Sequence, residues 1–97
     1  MALFCALCAE VARAQGGETD RTRAASLRQE AIAYEHGEGV TRDPLRAAAL
    51  YCASARLGDM QAQYLLGWMY AHGRGVVRDD AAAAFFFQAA AEQGLGV

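Results

Sequence analysis

The chain repeats itself with a period of 36 residues. Residues 26–61 align on residues 62–97 without a gap and give 12 identical pairs in 36 positions. Seven of these pairs fall within ten residues of the pattern Y-x-H-G-x-G-V-x-R-D, first at Tyr34–Asp43 and again at Tyr70–Asp79. Periods of about 20 to 50 residues are typical of solenoid proteins. The repeat therefore restricts the possible fold more than any other feature.

Each copy predicts two helices joined by a tight turn. In the second copy, apolar residues at spacings of three and four predict a first helix over about Gln61–Ala71. Gly73 should end it, because a residue with positive φ commonly follows a helix and glycine adopts that conformation without strain. In the first copy the corresponding turn is followed by Asp43 and Pro44.

The second helix of each copy begins with a clear start signal. Asp43 and Asp79 can accept hydrogen bonds from unpaired backbone N–H groups as N-caps. Pro44 suits the first helical position, where a backbone N–H is not needed. We therefore predict helices over about Pro44–Leu57 and Asp80–Gln93, each followed by a glycine. The fold class is all-α, an α-solenoid of two antiparallel helix-turn-helix repeats.

Composition excludes several classes of protein. The net charge is −2 and the sequence pI is about 5.6, whereas nucleic-acid-binding domains are typically basic. With 55% hydrophobic residues, the chain has enough apolar surface to fold. No apolar run approaches the roughly 18–20 residues that cross a bilayer. We therefore expect no nucleic-acid partner and no membrane span.

The second copy resembles the SEL-like repeat (SLR) family, which is related to tetratricopeptide repeats. The resemblance covers residues from about 24 to the end of the chain. It implies a right-handed superhelix of antiparallel helix pairs and a non-catalytic scaffold for protein–protein interaction. In the first copy, Glu30 and Ala31 replace Leu66 and Gly67, so its first helix is degenerate. The residues that match the family pattern are Ala62, Leu66, Gly67, Tyr70, Gly73, Gly75, Val76, Asp79, Ala83, Phe86, Phe87, Ala89, Ala90 and Gly94.

One branch of that family provides an alternative function. Its secreted members carry two cysteines per repeat, and some bear a β-lactamase or penicillin-binding label. The resemblance therefore allows a secreted hydrolase as the runner-up. This chain lacks the two cysteines per repeat: Cys52 does not fit the pattern, and its counterpart is Gln88. A fragment of a longer repeat array is a further alternative.

The side chains that could carry chemistry are better explained by structure. His36 and His72 occupy the same position in both copies, so they could form a metal pair or act as catalytic bases. Their place at the predicted ends of helices instead suits a favourable interaction with the negative end of the helix dipole. Two of the three carboxylates Asp43, Asp79 and Asp80 are explained as helix caps. We therefore predict no catalytic residue, no metal site and no cofactor.

The first helices of such repeats line the concave surface, which is the usual binding face. On that face of the second copy, residues 65, 68 and 72 recur at helical spacing, away from Leu66 and Tyr70. An exposed tryptophan there would anchor an amphipathic or extended peptide. Alternatively, that tryptophan packs on the neighbouring hairpin. The predicted partner-binding residues are Gln29, Ile32, His36, Leu65, Trp68 and His72.

The first 14 residues read as a probable signal peptide. A short apolar stretch precedes Ala12-Arg13-Ala14, which has the form of a secretory cleavage site. We predict a leader over 1–14, a linker over 15–23, and the two repeats over 24–61 and 62–97. With the leader the protein would be periplasmic or secreted, and without it cytoplasmic. All nine basic residues are Arg, a bias typical of GC-rich bacterial genomes.

Removal of the leader would leave Cys52 as the one cysteine of the chain. Cys5 and Cys8 form a C-x-x-C pair, but no strand-helix-strand unit surrounds it, as a redox motif would require. A single thiol forms no intrachain disulfide. We therefore predict that Cys52 is a small side chain that fills space in a helix.

The last helix is apolar nearly all round. Residues 80–93 contain nine Ala and Phe residues between positions 81 and 90, and such a helix is normally buried. Nothing else in the chain is expected to cover it. We therefore predict self-association through Asp80–Gln93, docking of this helix on a partner, or a longer array of which this chain is a fragment.

Overall fold

The computed structural model describes residues 18–94. They form four α-helices, and this part of the chain contains no strand. The predicted signal peptide lies outside the described residues and stays a prediction. The prediction of an all-α solenoid of two helical repeats is confirmed. The helices are α1 (Glu18–His36), α2 (Pro44–Arg56), α3 (Met60–His72) and α4 (Asp80–Glu92).

Helix α1 begins earlier than the sequence predicted. Residues 18–23 were assigned to the linker, but they form the first part of this 19-residue helix. Asp20 lies in its first turn, where a negative charge interacts favourably with the positive end of the helix dipole. Arg21 and Arg23 are good helix formers.

The start signals of α2 and α4 are confirmed. The side chain of Asp43 accepts a hydrogen bond from the backbone N–H of Arg46 at 3.2 Å, and Pro44 is the first helical residue. Asp79 accepts from the N–H of Ala82 at 3.1 Å. Gly73 follows α3 with a φ of +64°, in the left-handed conformation.

Helix α3 has a cap that the sequence analysis missed. Asp59 precedes Met60, and its Oδ2 accepts a hydrogen bond from the N–H of Ala62 at 2.8 Å. The same oxygen accepts from Nε of Arg28 at 2.9 Å. Asp59 has no acidic counterpart at position 95, so the comparison of the two copies gave no signal for it.

Sequential helices run antiparallel to each other. In the first pair, Ser54 donates to the carbonyl oxygen of Ala24 at 2.7 Å, and Tyr51 donates to Glu35 at 2.7 Å. In the second pair, the ring centroids of Tyr70 and Phe86 lie 5.9 Å apart. Ser54 near the end of α2 thus meets Ala24 near the start of α1, and Gln93 after α4 meets Gly58 before α3. This is the arrangement that the repeat predicted.

Helices α1 and α3 lie side by side in the same direction. Arg28 of α1 pairs with Asp59 at the start of α3, with 2.9 Å between Nε and Oδ2. Glu35, near the end of α1, pairs with Arg74 just after α3, with 3.5 Å between Oε2 and Nε. The two ion pairs occur in the same order along both segments. The first helices of the two repeats are therefore held in a fixed register.

A single core runs through both helix pairs. On α3, the predicted apolar face is confirmed: Ala62, Leu66, Met69 and Tyr70 are all buried. Gly67 is also buried, and a Cβ built on it would lie 3.0 Å from the ring of Phe87. The absence of a side chain there lets α3 and α4 approach closely. The core residues on α2 and α4 are Ala47, Ala48, Tyr51, Cys52, Ala55, Ala82, Ala83, Phe86 and Ala90.

Among residues 18–94, only one face of helix α4 is covered. Ala82, Ala83, Phe86 and Ala90 are buried, and this is the face toward α3. The expectation that nothing else in the chain covers α4 was therefore wrong for that face. The opposite face exposes Ala84, Gln88 and Ala91, and Phe87 is half-buried beside them.

Cys52 differs from its predicted state. It is buried, as a filler residue would be, but it is disulfide-bonded. The chain has three cysteines, and the other two, Cys5 and Cys8, lie outside the described residues. The prediction of a thiol without a disulfide assumed that the first 14 residues were removed, and it does not hold for the intact chain.

Candidate functional site

The predicted binding residues of the second repeat lie on one side of α3. Leu65 and Trp68 are half-buried and pack against the edge of the core, whereas His72 is exposed. Leu66 and Met69, on the adjoining side of the helix that faces the core, are buried. The side chain of Trp68 contacts the core and also presents surface to solvent. It is therefore neither a fully exposed anchor nor a fully packed residue.

Trp68 and His72 form a stacked pair. Their ring centroids lie 4.1 Å apart with 28° between the ring planes. Nδ1 of His72 lies 2.8 Å from the carbonyl oxygen of Trp68. With the proton on Nδ1, the imidazole donates a hydrogen bond to that carbonyl, and this fixes the orientation of the ring. The imidazole, oriented in this way, stacks on the indole of Trp68.

The predicted residues of the first repeat lie on α1. Ile32 is half-buried and packs against the core, and Gln29 and His36 are exposed. Gln29 also lines an open surface depression of about 530 Å³, together with the more N-terminal residues Arg21, Thr22, Ala25 and Ser26. The ion pairs that fix α1 against α3 bring the two sets of three residues to neighbouring helices. A shared binding surface across them stays a prediction.

The predicted position of the two histidines is confirmed, and their role stays a prediction. His36 is the last residue of α1 and His72 the last residue of α3. Within residues 18–94, no group of three or more His, Cys, Asp or Glu side chains could hold a metal ion.

A buried polar network at the junction of the two repeats was not predicted. Glu35 is only 7% exposed. Its carboxylate accepts a hydrogen bond from the hydroxyl of Tyr51 at 2.7 Å and pairs with Arg74 from the second repeat. Burial, followed by the hydrogen bond and charge of Glu35, raises the pKa of Tyr51 well above its ordinary value. The available signal was the difference between the copies, since Ala71 and Phe87 occupy the equivalent positions.

The most exposed large apolar side chains are not on the predicted binding face. Val40 is 38% exposed, Leu45 61% and Val77 76%. Val40 and Val77 lie in the turns between the paired helices, and Leu45 lies in the first turn of α2. Sequence reasoning missed them because it compared helix faces and not the turns. Scattered single apolar residues are normal on protein surfaces.

No helix within residues 18–94 is long and apolar enough to cross a membrane.

Comparison with known protein families assigns the repeats. The family model for the Sel1 repeat matches residues 29–59 and residues 61–95. Searches of curated proteins and of solved structures gave no significant match. Sel1 repeats generally mediate protein–protein interaction and are typically non-catalytic. The two matched segments agree with the two helix pairs of the structure, and the chain belongs to the Sel1 repeat family.

Proposed function

We propose that this chain is a non-catalytic scaffold that binds a partner protein or peptide on the concave face formed by α1 and α3. The observation that supports the proposal is Trp68. It is the one tryptophan of the chain, it is half-buried at the edge of the core, and it is stacked on His72. Tryptophan in a fixed, partly open position is the residue type most often found at interaction hot spots.

The surface is held in place before a partner arrives. Arg28–Asp59 at one end and Glu35–Arg74 at the other connect α1 with the segment that contains α3. Both side chains of the first pair are largely shielded from solvent, with 18% and 15% exposure. A surface that is already ordered loses little conformational entropy on binding. Both ion pairs therefore support binding by preorganisation.

The side chains of the surface indicate the chemistry of the partner. Ile32, Leu65 and Trp68 provide an apolar centre, and the more polar Gln29, His36 and His72 lie beside them. An apolar centre with a polar rim is the usual organisation of a protein interface. The partner is therefore an amphipathic helix or an extended peptide with one or two large apolar anchor residues. The net charge of −2 gives no support for a nucleic-acid partner.

The test is affinity capture from the organism that encodes the chain. Wild-type protein is compared with Trp68→Ala, and Val77→Ala serves as the control because Val77 is 76% exposed in a turn. Trp68→Ala is expected to lose the captured partner, because the loss of a hot-spot side chain costs about 2 kcal/mol or more of binding energy. Val77→Ala is expected to keep it.

Circular dichroism separates lost binding from lost folding. Trp68→Ala should retain the helical spectrum, since the side chain is only half-buried. The exposed residues His72 and Gln29 offer a second route, because His72→Ala and Gln29→Ala remove little packing. Capture that survives all three substitutions would contradict the proposal. So would a collapse of helicity in Trp68→Ala, which would assign Trp68 to the core.

The proposal treats the chain as a binding module and not as an enzyme. The runner-up, a secreted hydrolase of the cysteine-rich branch, rests on a pattern of two cysteines per repeat. The chain has three cysteines in total, and Gln88 stands where Cys52 would have its counterpart. No observation on the described residues favours the hydrolase.

We also propose export of the chain to the periplasm or the medium. Support comes from the sequence alone, from the short apolar stretch and the Ala12-Arg13-Ala14 site that follows it. Mass spectrometry of the exported protein should find Gln15 at the N-terminus. Intact Met1 on protein recovered from the cytoplasm would contradict the proposal.

A further inference from the structure

We infer that the uncovered side of the second helix pair is a docking surface for a helix of the α3 type, supplied by another polypeptide. This surface, here called the end face, consists of Tyr64 on α3 and Ala84, Phe87, Gln88 and Ala91 on α4. Its centre is aromatic: the rings of Tyr64 and Phe87 lie 5.4 Å apart, and both side chains are half-buried. This interaction is separate from the concave face proposed above.

The first repeat shows which helix covers the surface that is equivalent to the end face. The positions on α2 equivalent to those of the end face are 48, 51, 52 and 55, and all four are at most 3% exposed. Helix α2 lies between α1 and α3, whereas α4 contacts α3 and has no described helix on its other side. In the first repeat, α3 therefore occupies the place that is open in the second.

The polar contacts between α2 and α3 indicate how a partner helix would dock on the end face. Nε2 of Gln63 on α3 lies 3.4 Å from the carbonyl oxygen of Ala55, to which it donates. The N-cap Asp59 receives Arg28 from the preceding first helix. The equivalent positions in the second repeat are Ala91 and Tyr64. A docked helix can therefore place a side-chain amide on the Ala91 carbonyl and an acidic N-cap beside the Tyr64 hydroxyl.

The start of α1 from a second copy does not fit the end face. On α3, Ala62 and Leu66 are 0% and 2% exposed. Their counterparts on α1 are Ser26 and Glu30, both exposed. Burial of the Glu30 carboxylate without a partner would be costly. The occupant is therefore a helix with a small residue and, four residues later, a leucine, as on α3.

Two differences between the repeats refine the partner further. Ala71 replaces Glu35, so the docked segment needs no counterpart of Arg74. Gln88 replaces Cys52 and donates to Glu92 at 3.2 Å, so a polar residue can face it. The partner is thus a capped, largely apolar helix that needs no basic residue after its C-terminal turn.

A peptide with the sequence of residues 58–74 provides the probe. Isolated helices of this length are marginal in water, so positions 61 and 65 are joined by a covalent i,i+4 crosslink that holds the peptide helical. Gln61 is exposed and Leu65 half-exposed on α3, so the crosslink lies away from the docking side. Binding of the labelled peptide to the full chain is measured by fluorescence anisotropy.

Variants on the protein and on the peptide supply matched controls. Ala84→Glu and Ala91→Glu on the end face should each weaken binding at least about tenfold, or about 1.4 kcal/mol. Ala49→Glu should not, because Ala49 is exposed on α2, outside the end face. A Leu66→Glu peptide, which reproduces the Glu30 of α1, should bind at least about tenfold more weakly.

Three outcomes would overturn the inference. The first is no saturable binding up to about 1 mM peptide, the weak limit of specific affinity. The second is binding unaffected by both end-face variants. The third is a dimer of the chain, found by sedimentation equilibrium without peptide and lost in Ala84→Glu. That dimer would make a second copy the occupant, as self-association through the last helix requires.

Discussion

Helices α2 and α4 are equivalent by sequence but differ in their surroundings. Ala55 is fully buried, whereas its counterpart Ala91 is exposed. Ala48 is buried and Ala84 is exposed. These are alanines in the same position of the same repeat, so the residue type cannot explain the difference. The cause is the neighbouring element: α2 lies between two helices, and α4 has a described helix on one side only.

Helices α2 and α4 also differ in their polar side chains. Tyr51 is buried and donates to Glu35, whereas Phe87 at the equivalent position is half-buried and has no hydroxyl. The junction between repeats therefore contains a charged network that the end of the array lacks. A buried network of this kind fixes one register of the two repeats, because other registers would leave its charges unpaired.

The largest effect should come from the glycine of the second turn. Gly75 has a φ of +77°, and a Cβ built there would lie 2.3 Å from the carbonyl oxygen of Pro44. Gly39 has the same φ of +77° with no atom within 4 Å of such a Cβ. We expect Gly39→Ala to cost about 1 kcal/mol of unfolding free energy from backbone strain. Gly75→Ala should cost at least about 3 kcal/mol, since it adds a clash with backbone to that strain.

Urea unfolding followed by circular dichroism measures both glycine variants. The Gly39 variant is the control, since it carries the same strain without the clash. Equal losses in the two variants would show that the second turn does not pack against the start of α2.

The next largest effect on stability is expected from alanines at equivalent positions of α2 and α4. Ala55→Leu adds three carbons to a position with 0% exposure, and overpacking of a core costs about 1–3 kcal/mol. Ala91→Leu adds the same atoms to an exposed position and should change stability by less than about 0.5 kcal/mol. The shift in thermal midpoint gives the comparison. A similar loss in both variants would mean that the outer side of α4 is covered in solution.

The smallest effect concerns the hydroxyl of Tyr51. Tyr51→Phe removes the donor to the buried Glu35, which should cost about 1–2 kcal/mol near neutral pH. Phe87→Tyr should be nearly neutral, because position 87 is half-exposed. Near-UV spectra and urea midpoints at pH 7 distinguish the two.

Tyr51→Phe should also change how the free energy of unfolding depends on pH above pH 10. The pKa of Tyr51 is raised above its ordinary value of 10.0, so the folded chain holds the proton more tightly than the unfolded chain. This contribution to stability is complete below pH 10 and is lost progressively as the pH rises above it. Wild-type stability should therefore fall more steeply above pH 10 than that of Tyr51→Phe. Tyr34→Phe, the control, should follow the wild type, and a steep fall in Tyr51→Phe would contradict the assignment.

The local elements of the fold were predictable from the sequence. Asp43, Asp79, Pro44 and Gly73 were assigned to their roles as caps and turn residues because each role depends on neighbours within four residues. The first-helix face with Leu66 and Tyr70 followed from helical spacing. By contrast, the Arg28–Asp59 pair and the network of Glu35 escaped notice, since their partners lie 31, 16 and 39 residues apart along the chain. The cap Asp59 is local, and it was missed because position 95 has no acidic counterpart.

The candidate site was predicted in part. Helical spacing placed Leu65, Trp68 and His72 on one face of α3, but it could not decide how far Trp68 is buried. That depends on how α3 packs on α4 and on the rotamer that His72 stabilises. The exposure of Val77 likewise depends on where the turn lies relative to α2, and not on the turn sequence.

The sequence by itself determined the number of repeats, the four helices, the N-caps of α2 and α4, and the family. Each of these follows from local hydrogen bonding and from a periodic apolar pattern, which are properties of short segments. The tertiary structure decided which alanines are buried, that Glu35 meets Tyr51 and Arg74, and which side of α4 stays open. Burial and ion pairing depend on what lies across the interface, and a repeat specifies its neighbours only through the packing of the whole array.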